Sequence, residues 1–483
     1  MSNRRIIASH SSACAAFAIL SISALLAAAQ APHKTLPNAP AAHLVAALSQ
    51  APAAQAQPMG ANPQTPPASP GTPAPSGPQL TIAQAEQLAI QNNPNISVAR
   101  LLALAEGQVT REVRSIEMPM IASDLDAVDA HPGSRITGAG TINSPRVLDK
   151  AAAGLSVSQL ITDFGRTHNL VLSAQSNAKA QLENQRATQL DIVLTVDQAF
   201  YEALTAQAVL KVAQQTVAQR QATVDQVGAL TKAKIRSDLD LSFADVQNSQ
   251  AKLLLLDAEN NTQAAMAALN NVLGSEQDQQ YSLVDETNGN PPPAPDAPET
   301  MVQAAFTARP DLASLNDKYL SAKQFATAER ELWMPTISAM AMGGGTPVRD
   351  DLIQSSWYFG AGAAINIPVF NGFLYNADAK EAKYQAQAAQ ENVRNLRDVI
   401  ARDVRTAVLN AQTAYQRITV TQQLLNQANF ALDLANARYK IGLSSIVELA
   451  QAQLNQTQAD IANTNARYSY QTALAVVRYQ IGQ

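Results

Sequence analysis

The sequence predicts a mainly α-helical chain with a small β part, organised as two tandem helix–β-hairpin–helix repeats with long coiled-coil helices. The first supporting observation is compositional: 46% of the 483 residues are hydrophobic but only 5% are aromatic. That leaves little bulk for a thick globular core and suits slender helices that pack through alanine. The second is that neither Pro nor Gly interrupts residues 166–227 or 373–441, so each stretch has room for a helix of about 90 to 100 Å at about 1.5 Å per residue. The third is internal duplication: residues 196–274 overlay residues 404–482 at a constant offset of 208 without a gap. Matching pairs include Val196 with Val404, Ala203 with Ala411, Lys232 with Lys440 and Asp240 with Glu448.

At the N-terminus, Arg4 and Arg5 precede an Ala/Ser/Leu/Ile run over 13–29 with small residues Ala27 and Ala29 at its end, so residues 1–30 read as an export signal. The run of about 17 weakly hydrophobic residues is shorter than the roughly 20 that span a bilayer. Ser11 stands where a lipoprotein signal needs Leu, so no lipid anchor is expected on Cys14. Cys14 is the single cysteine, and its removal with the signal excludes disulfides, zinc–thiolate sites and thiol nucleophiles from the mature chain. Residues 31–79 are rich in Pro, Ala, Gln and Ser without an acid, too little apolar surface to offset chain entropy, and read as a flexible linker. A second proline-rich break at 291–298 separates a first repeat over 80–290 from a second over 291–483. All 39 acidic residues follow residue 79, whereas three of the 34 basic ones precede it, and so acidic a body is a poor partner for nucleic acid.

Each repeat has the same internal order. A short helix over 82–91 or 301–308 stops before Pro94 or Pro310, and a second helix runs to Met118-Pro119 or Met334-Pro335, related at an offset of 216. A hairpin follows. In the second repeat it comprises 335–342, a turn at Gly343-Gly344-Gly345, and a strand over 357–369 that alternates Trp357, Phe359, Ile365 and Ile367 with Tyr358, Gly360, Gly362 and Asn366. In the first repeat Ile121, Leu125 and Ala127 precede a Pro/Gly-rich loop over 131–145, and Leu155, Val157 and Leu160 follow it. The long helix then carries apolar residues at steps of three and four, as in Val193, Val196, Phe200 and Leu204 or Val393, Leu396, Ile400 and Val404. A turn at 235–238 or 442–445 leads into a return helix of about 36 residues ending at Gly274 or Gly482. Four strands are too few for a membrane barrel, so their open edges require other copies.

No catalytic, cofactor or metal site is expected. His131 and His168 differ in setting and read as solvated, and Gly343–Gly345 lacks the Lys-Ser/Thr of a phosphate loop. Charge gathers instead at the two turns: Lys232, Lys234, Arg236, Asp238 and Asp240 at the first, Lys440 and Glu448 at the second. For most of these a solvated helix end is the simpler reading, but an acid recurs at Asp240 and Glu448 in both repeats.

The strand-to-helix junctions at 159–166 (QLITDFGR) and 367–372 (IPVFNG), and above all residues 437–453 (ARYKIGLSSIVELAQAQ), resemble the TolC family of outer-membrane efflux proteins, over residues 80–483. The resemblance implies a homotrimer with a twelve-strand β-barrel in outer-membrane lipid and a helical α-barrel crossing the periplasm. It further implies a periplasmic adaptor and an inner-membrane transporter as partners, so that the channel conducts passively. Asp240 and Glu448 then correspond to the acidic constriction at the periplasmic mouth and Tyr439 to a tyrosine of the links that hold it closed. Arg236, Ser237, Gly442, Leu443, Ser444 and Ser445 fall in the adaptor-contact turns. This chain departs from the pattern at Gln451, where a second acid can occur, at Ser444, where an arginine can link neighbouring helices, and at Lys234, where the second repeat has Gly442. The outer-membrane component of a type I protein secretion system and a non-channel periplasmic coiled-coil adaptor stand as alternatives.

Overall fold

The computed structural model describes residues 77–131, 147–275, 279–286, 291–295 and 297–483. The expected export signal, nearly all of the linker and most of the 131–145 loop lie outside the described residues. The first repeat comprises β1 (Gln79–Leu80), α1 (Ile82–Asn92), α2 (Pro94–Arg114), β2 (Met120–Val128), β3 (Lys150–Thr162), α3 (Arg166–Lys232) and α4 (Asp238–Val272). After β4 (Ser282–Leu283), which pairs in parallel with β1, the second comprises α5 (Pro298–Ala308), α6 (Pro310–Arg330), β5 (Thr336–Arg349), β6 (Trp357–Asn366), α7 (Leu374–Lys440) and α8 (Ile446–Gln480). Corresponding helices have identical lengths of 11, 21, 67 and 35 residues.

Both helix turns close in the same way. Lys234 N donates to Thr231 O and Ile235 N to Leu230 O; Gly442 N donates to Tyr439 O and Leu443 N to Arg438 O. These paired bonds satisfy the last carbonyls of the long helices and require a left-handed residue just past the end. Gly442 adopts it at φ 80° without strain, while Lys234 adopts it at φ 59° as a non-glycine residue. The turn therefore begins earlier than expected, and Asp238 is already the first residue of the return helix.

Two apolar cores sit at equivalent places of the helical unit. In the first, Leu80, Ala85 and Ala89 pack with Val196, Phe200, Ala203, Leu204, Leu269 and Leu273; in the second, Val302, Ala305 and Leu312 pack with Ile400, Val404, Val408, Ala411 and Val477. Each return helix ends on a left-handed glycine pressed against the opening helix: a Cβ on Gly274 would lie 2.8 Å from Asn92 O, and one on Gly482 would lie 2.9 Å from Ala308 C. The same junction is latched differently in each half. Asn93 Nδ2 donates to Val272 O at 2.9 Å, whereas its counterpart Arg309 reaches Gln480 O at 3.3 Å. Helix α3 packs against α1, α2, α4, α6 and α8, and α7 against α5, α6 and α8. Helix α6 is thus held between both long helices, while its counterpart α2 packs on α3 and leaves Val98, Leu101, Leu102 and Leu104 exposed.

The strands form a four-stranded sheet in the order β2-β3-β5-β6. The glycine triplet at 343–345 is not a turn, as the sequence suggested, but lies inside β5, and the reversal falls after Arg349. The reason is close approach: a Cβ on Gly344 would collide with Ala153 O of β3 and come within 2.7 Å of the Tyr358 ring of β6. Strand β6 likewise ends at Asn366, shorter than the expected 357–369, because Pro368 donates no backbone hydrogen bond. The sheet has almost no core of its own. Among its described residues only Thr346 is buried, while Leu125, Trp357, Phe359 and Ile365 stand open.

Candidate functional site

The turns joining α3 to α4 and α7 to α8 meet around Tyr439. Its side chain is 2% exposed and packs with Val227, Ala244, Leu432, Ala435, Ile446 and Leu449. From the other repeat, the Arg236 guanidinium lies 4.5 Å from the Tyr439 ring centroid, and its Nη2 donates to Tyr439 O at 3.3 Å. The phenolic oxygen is buried without a hydrogen-bond partner. Burial pushes the hydroxyl above its ordinary value, with Arg236 opposing and Asp240 adding to the rise.

Asp240 and Glu448 occupy the same local geometry. Each is the third residue of its return helix, where the backbone N–H of Asp240 donates to Ser237 Oγ at 3.2 Å and that of Glu448 to Ser445 Oγ at 3.3 Å. A capped helix N-terminus favours an acid there through the exposed amides of the first turn, which accounts locally for the recurrence. Beyond that, their surroundings differ. Asp240 is half-buried and acts electrostatically on Tyr439, whereas Glu448 is exposed and pairs with Arg438 at 3.1 Å. The structure thus brings Arg236, Tyr439 and Asp240 together and leaves Glu448 on a separate ion pair. Around them Ser237, Gly442 and Ser445 are exposed, and Leu443 stands 67% open beside exposed Ile235, Leu239, Ile441 and Val447. Ser444 is half-buried, its Oγ without a partner.

Arg236 as the partner of Tyr439 was not anticipated. The signal was present, because the 208-residue offset sets Arg236 opposite Ser444, where the resemblance expects an arginine in the other repeat. A second cross-repeat contact had no such signal. Arg220 is 5% exposed, and its Nη1 donates to Gln453 Oε1 at 2.6 Å while Gln453 Nε2 donates to Thr223 Oγ1 at 3.2 Å. Desolvation lowers the Arg220 pKa. His131 and His168 are both exposed. Among the described residues no group of three or more His, Cys, Asp or Glu could hold a metal ion, and no helix is long and apolar enough to cross a membrane.

Paired long helices, turns with a buried tyrosine, and a sheet with almost no core define a channel subunit of the outer-membrane efflux type. The chain belongs to the outer membrane efflux protein family, which matches residues 85–275 and 301–483, and its place is the outer membrane. It is 24% identical over 424 residues to outer membrane protein TolC of Salmonella enteritidis, covering 83% of each chain. It is 22% identical over 434 residues to the toluene efflux pump outer membrane protein TtgC of Pseudomonas putida, covering 85% of this chain and 89% of that one. The fold matches the crystal structure of the Campylobacter jejuni outer membrane channel CmeC with a TM-score of 0.72 at 18% identity, over 83% of this chain and 85% of that one.

Because the Tyr439 ring is packed but its hydroxyl is unpartnered, Tyr439→Phe is expected to change stability by less than about 1 kcal/mol. Tyr439→Ala should cost roughly 3–5 kcal/mol. Urea unfolding followed by tryptophan fluorescence measures both, and equal losses in the two variants would contradict the packing described.

Proposed function

We propose that this protein is the exit duct of a tripartite efflux system, in which three copies close one β-barrel in outer-membrane lipid and one helical tube in the periplasm. The observation that carries the homotrimer is the asymmetry of α2 and α6. Helix α6 has a long helix on each side, whereas α2 has α3 alone and an open face of Val98, Leu101, Leu102 and Leu104. The repeat relation calls for an α7 on that face, and a neighbouring copy supplies one. The uncovered sheet argues the same way, since four strands close a barrel only with strands from other chains. On this reading residues 1–30 direct export, 31–79 form a linker, and 80–290 and 291–483 are the two repeats. Transport is passive here and energised by an inner-membrane transporter. The efflux pump relative favours efflux over type I secretion, and the strands favour a channel over a coiled-coil adaptor.

Chemical crosslinking and mass measurement in detergent are expected to give a trimer. A stable monomer would overturn the reading.

The turns are the proposed periplasmic mouth. If Asp240 and Glu448 face its lumen, three copies contribute six carboxylates to one ring. Unit charges about 6 Å apart at an effective dielectric of about 20 interact by roughly 3 kcal/mol, so the ring attracts cations and binds multivalent ones. In planar bilayers, Asp240→Asn combined with Glu448→Gln should lose cation selectivity and trivalent-cation block, whereas Glu259→Gln on the same return helix as Asp240 should keep both. Undiminished block in the double variant means that these acids point elsewhere.

The periplasmic adaptor is assigned to Arg236, Ser237 and residues 442–445, where exposed Leu443 and its apolar neighbours offer a contact surface. Leu443→Arg is expected to reduce export at least tenfold with trimer yield unchanged. Normal export by this variant would remove the turn from the contact.

A further inference from the structure

Further along the seam between α3 and α8, away from the turns, lies a buried cation that no acid answers. Arg220 of α3 is 5% exposed, and the structure gives its guanidinium two hydrogen bonds, both to α8. Nη1 donates to Gln453 Oε1 at 2.6 Å and Nη2 to the Ala450 carbonyl oxygen at 3.5 Å. A guanidinium carries five donors, so most of its capacity is unused. Both acceptors are neutral, and among the described residues no Asp or Glu pairs with Arg220. Asp197, similarly buried, shows the ordinary arrangement, with Arg478 at 3.3 Å. A charge withdrawn from water without a counter-charge is costly. Desolvation accordingly lowers the Arg220 pKa, with no carboxylate opposing it.

The duplicated half shows what this seam lacks. At the 208-residue offset Gln453 corresponds to Asp245 of α4, and Arg220 to Ala428 of α7. The acid therefore stands exposed on one return helix, while the arginine meets the other, where the same position is glutamine. Gln453 Nε2 donates to Thr223 Oγ1 at 3.2 Å, which holds the amide with its oxygen toward Arg220 and leaves the Thr223 hydroxyl proton free to be donated.

A small cavity adjoins the cation. Arg220, Thr223, Gln247 and Gln453 line it together with apolar Phe243 and Ile446, and its volume is about 10 Å³, room for one water-sized guest. Phosphate, sulfate and carboxylate ligands are too large for it. A water there satisfies donors but leaves the charge uncompensated, whereas a single-atom anion does both.

We propose that this cavity is a halide site, taking chloride as the counter-ion of Arg220, and that the bound ion fastens α3 to α8. Its donors are the unused guanidinium N–H groups, the Thr223 hydroxyl and the Gln247 amide. Because Phe243 and Ile446 also pack around Tyr439, the ion supports that contact from behind.

Bromide is the probe. Hydrogen–deuterium exchange of the detergent-solubilised full-length protein is read on peptides covering residues 216–224 and 446–457, in sodium bromide and in sodium gluconate at the same ionic strength. Gluconate is too large for the cavity. Protection rises by one plus the ratio of ligand to dissociation constant, so at about 0.15 M bromide a site with a constant of roughly 15 mM gives an increase of about tenfold. Peptides over 424–432 should not respond, since Ala428 replaces the arginine there. Gln453→Glu supplies the missing carboxylate and should reduce the bromide effect to under about twofold. Anomalous diffraction from bromide-soaked crystals of the wild type should place one peak beside the Arg220 guanidinium. Equal protection of the wild type in the two salts overturns the proposal, as does a bromide effect that persists in folded Gln453→Glu or the absence of that peak.

Discussion

A helix of 67 residues gains little stability from its own sequence and must be supported along its length by neighbours. Here the support comes through small side chains. Ala203, Ala213, Ala251, Ala258, Ala382, Ala411, Ala459 and Ala466 are buried along the helices, and a seam lined by alanine lets two backbones run close together for many turns. The cost is that these alanine-lined stretches bury little bulk between the cores. Bulky residues such as Phe200, Leu269, Ile400 and Val404 are gathered in a few places, and those places are where several helices meet.

Duplication lets the chain solve each junction twice with different chemistry. Asn93 and Arg309 both seize the end of a return helix, one as a neutral amide and one as a guanidinium also held by Asp311 at 2.7 Å. Lys234 and Gly442 both take the left-handed position past a long helix. Backbone geometry is what the two halves share, since helix lengths and caps set where each chain segment must turn, while the side chains that secure each turn are free to diverge. That freedom is what gives one protomer two unlike turns, with Arg236 over a tyrosine on one side and the Arg438–Glu448 pair on the other.

Conduction asks little chemistry of such a chain. It asks for a wall and for helices that hold one another in place. Cation–π contact and backbone hydrogen bonding between Arg236 and Tyr439 supply attraction without a buried ion pair, so separation does not strand an unpaired acid in an apolar place. The Arg220–Gln453 bond has the same character, a cation held by neutral acceptors between the two repeats.

The sequence by itself determined the repeat, the long helices and the stops at Pro94, Pro310, Gly274 and Gly482, because helix period, proline stops and terminal glycines act over a few residues and are written locally. It also singled out Tyr439, Asp240 and Glu448 as candidates through motif and offset. Only the tertiary structure decided that Gly343–Gly345 are strand residues, because the need for glycine there arises from Ala153 and Tyr358 on neighbouring strands and not from a turn. It alone decided that Arg236 meets Tyr439 across 203 residues of chain and that Arg478 reaches the buried Asp197. Such pairings depend on how helices rotate about their axes when they pack, and in helices lined by alanine on several sides the local pattern leaves that rotation open.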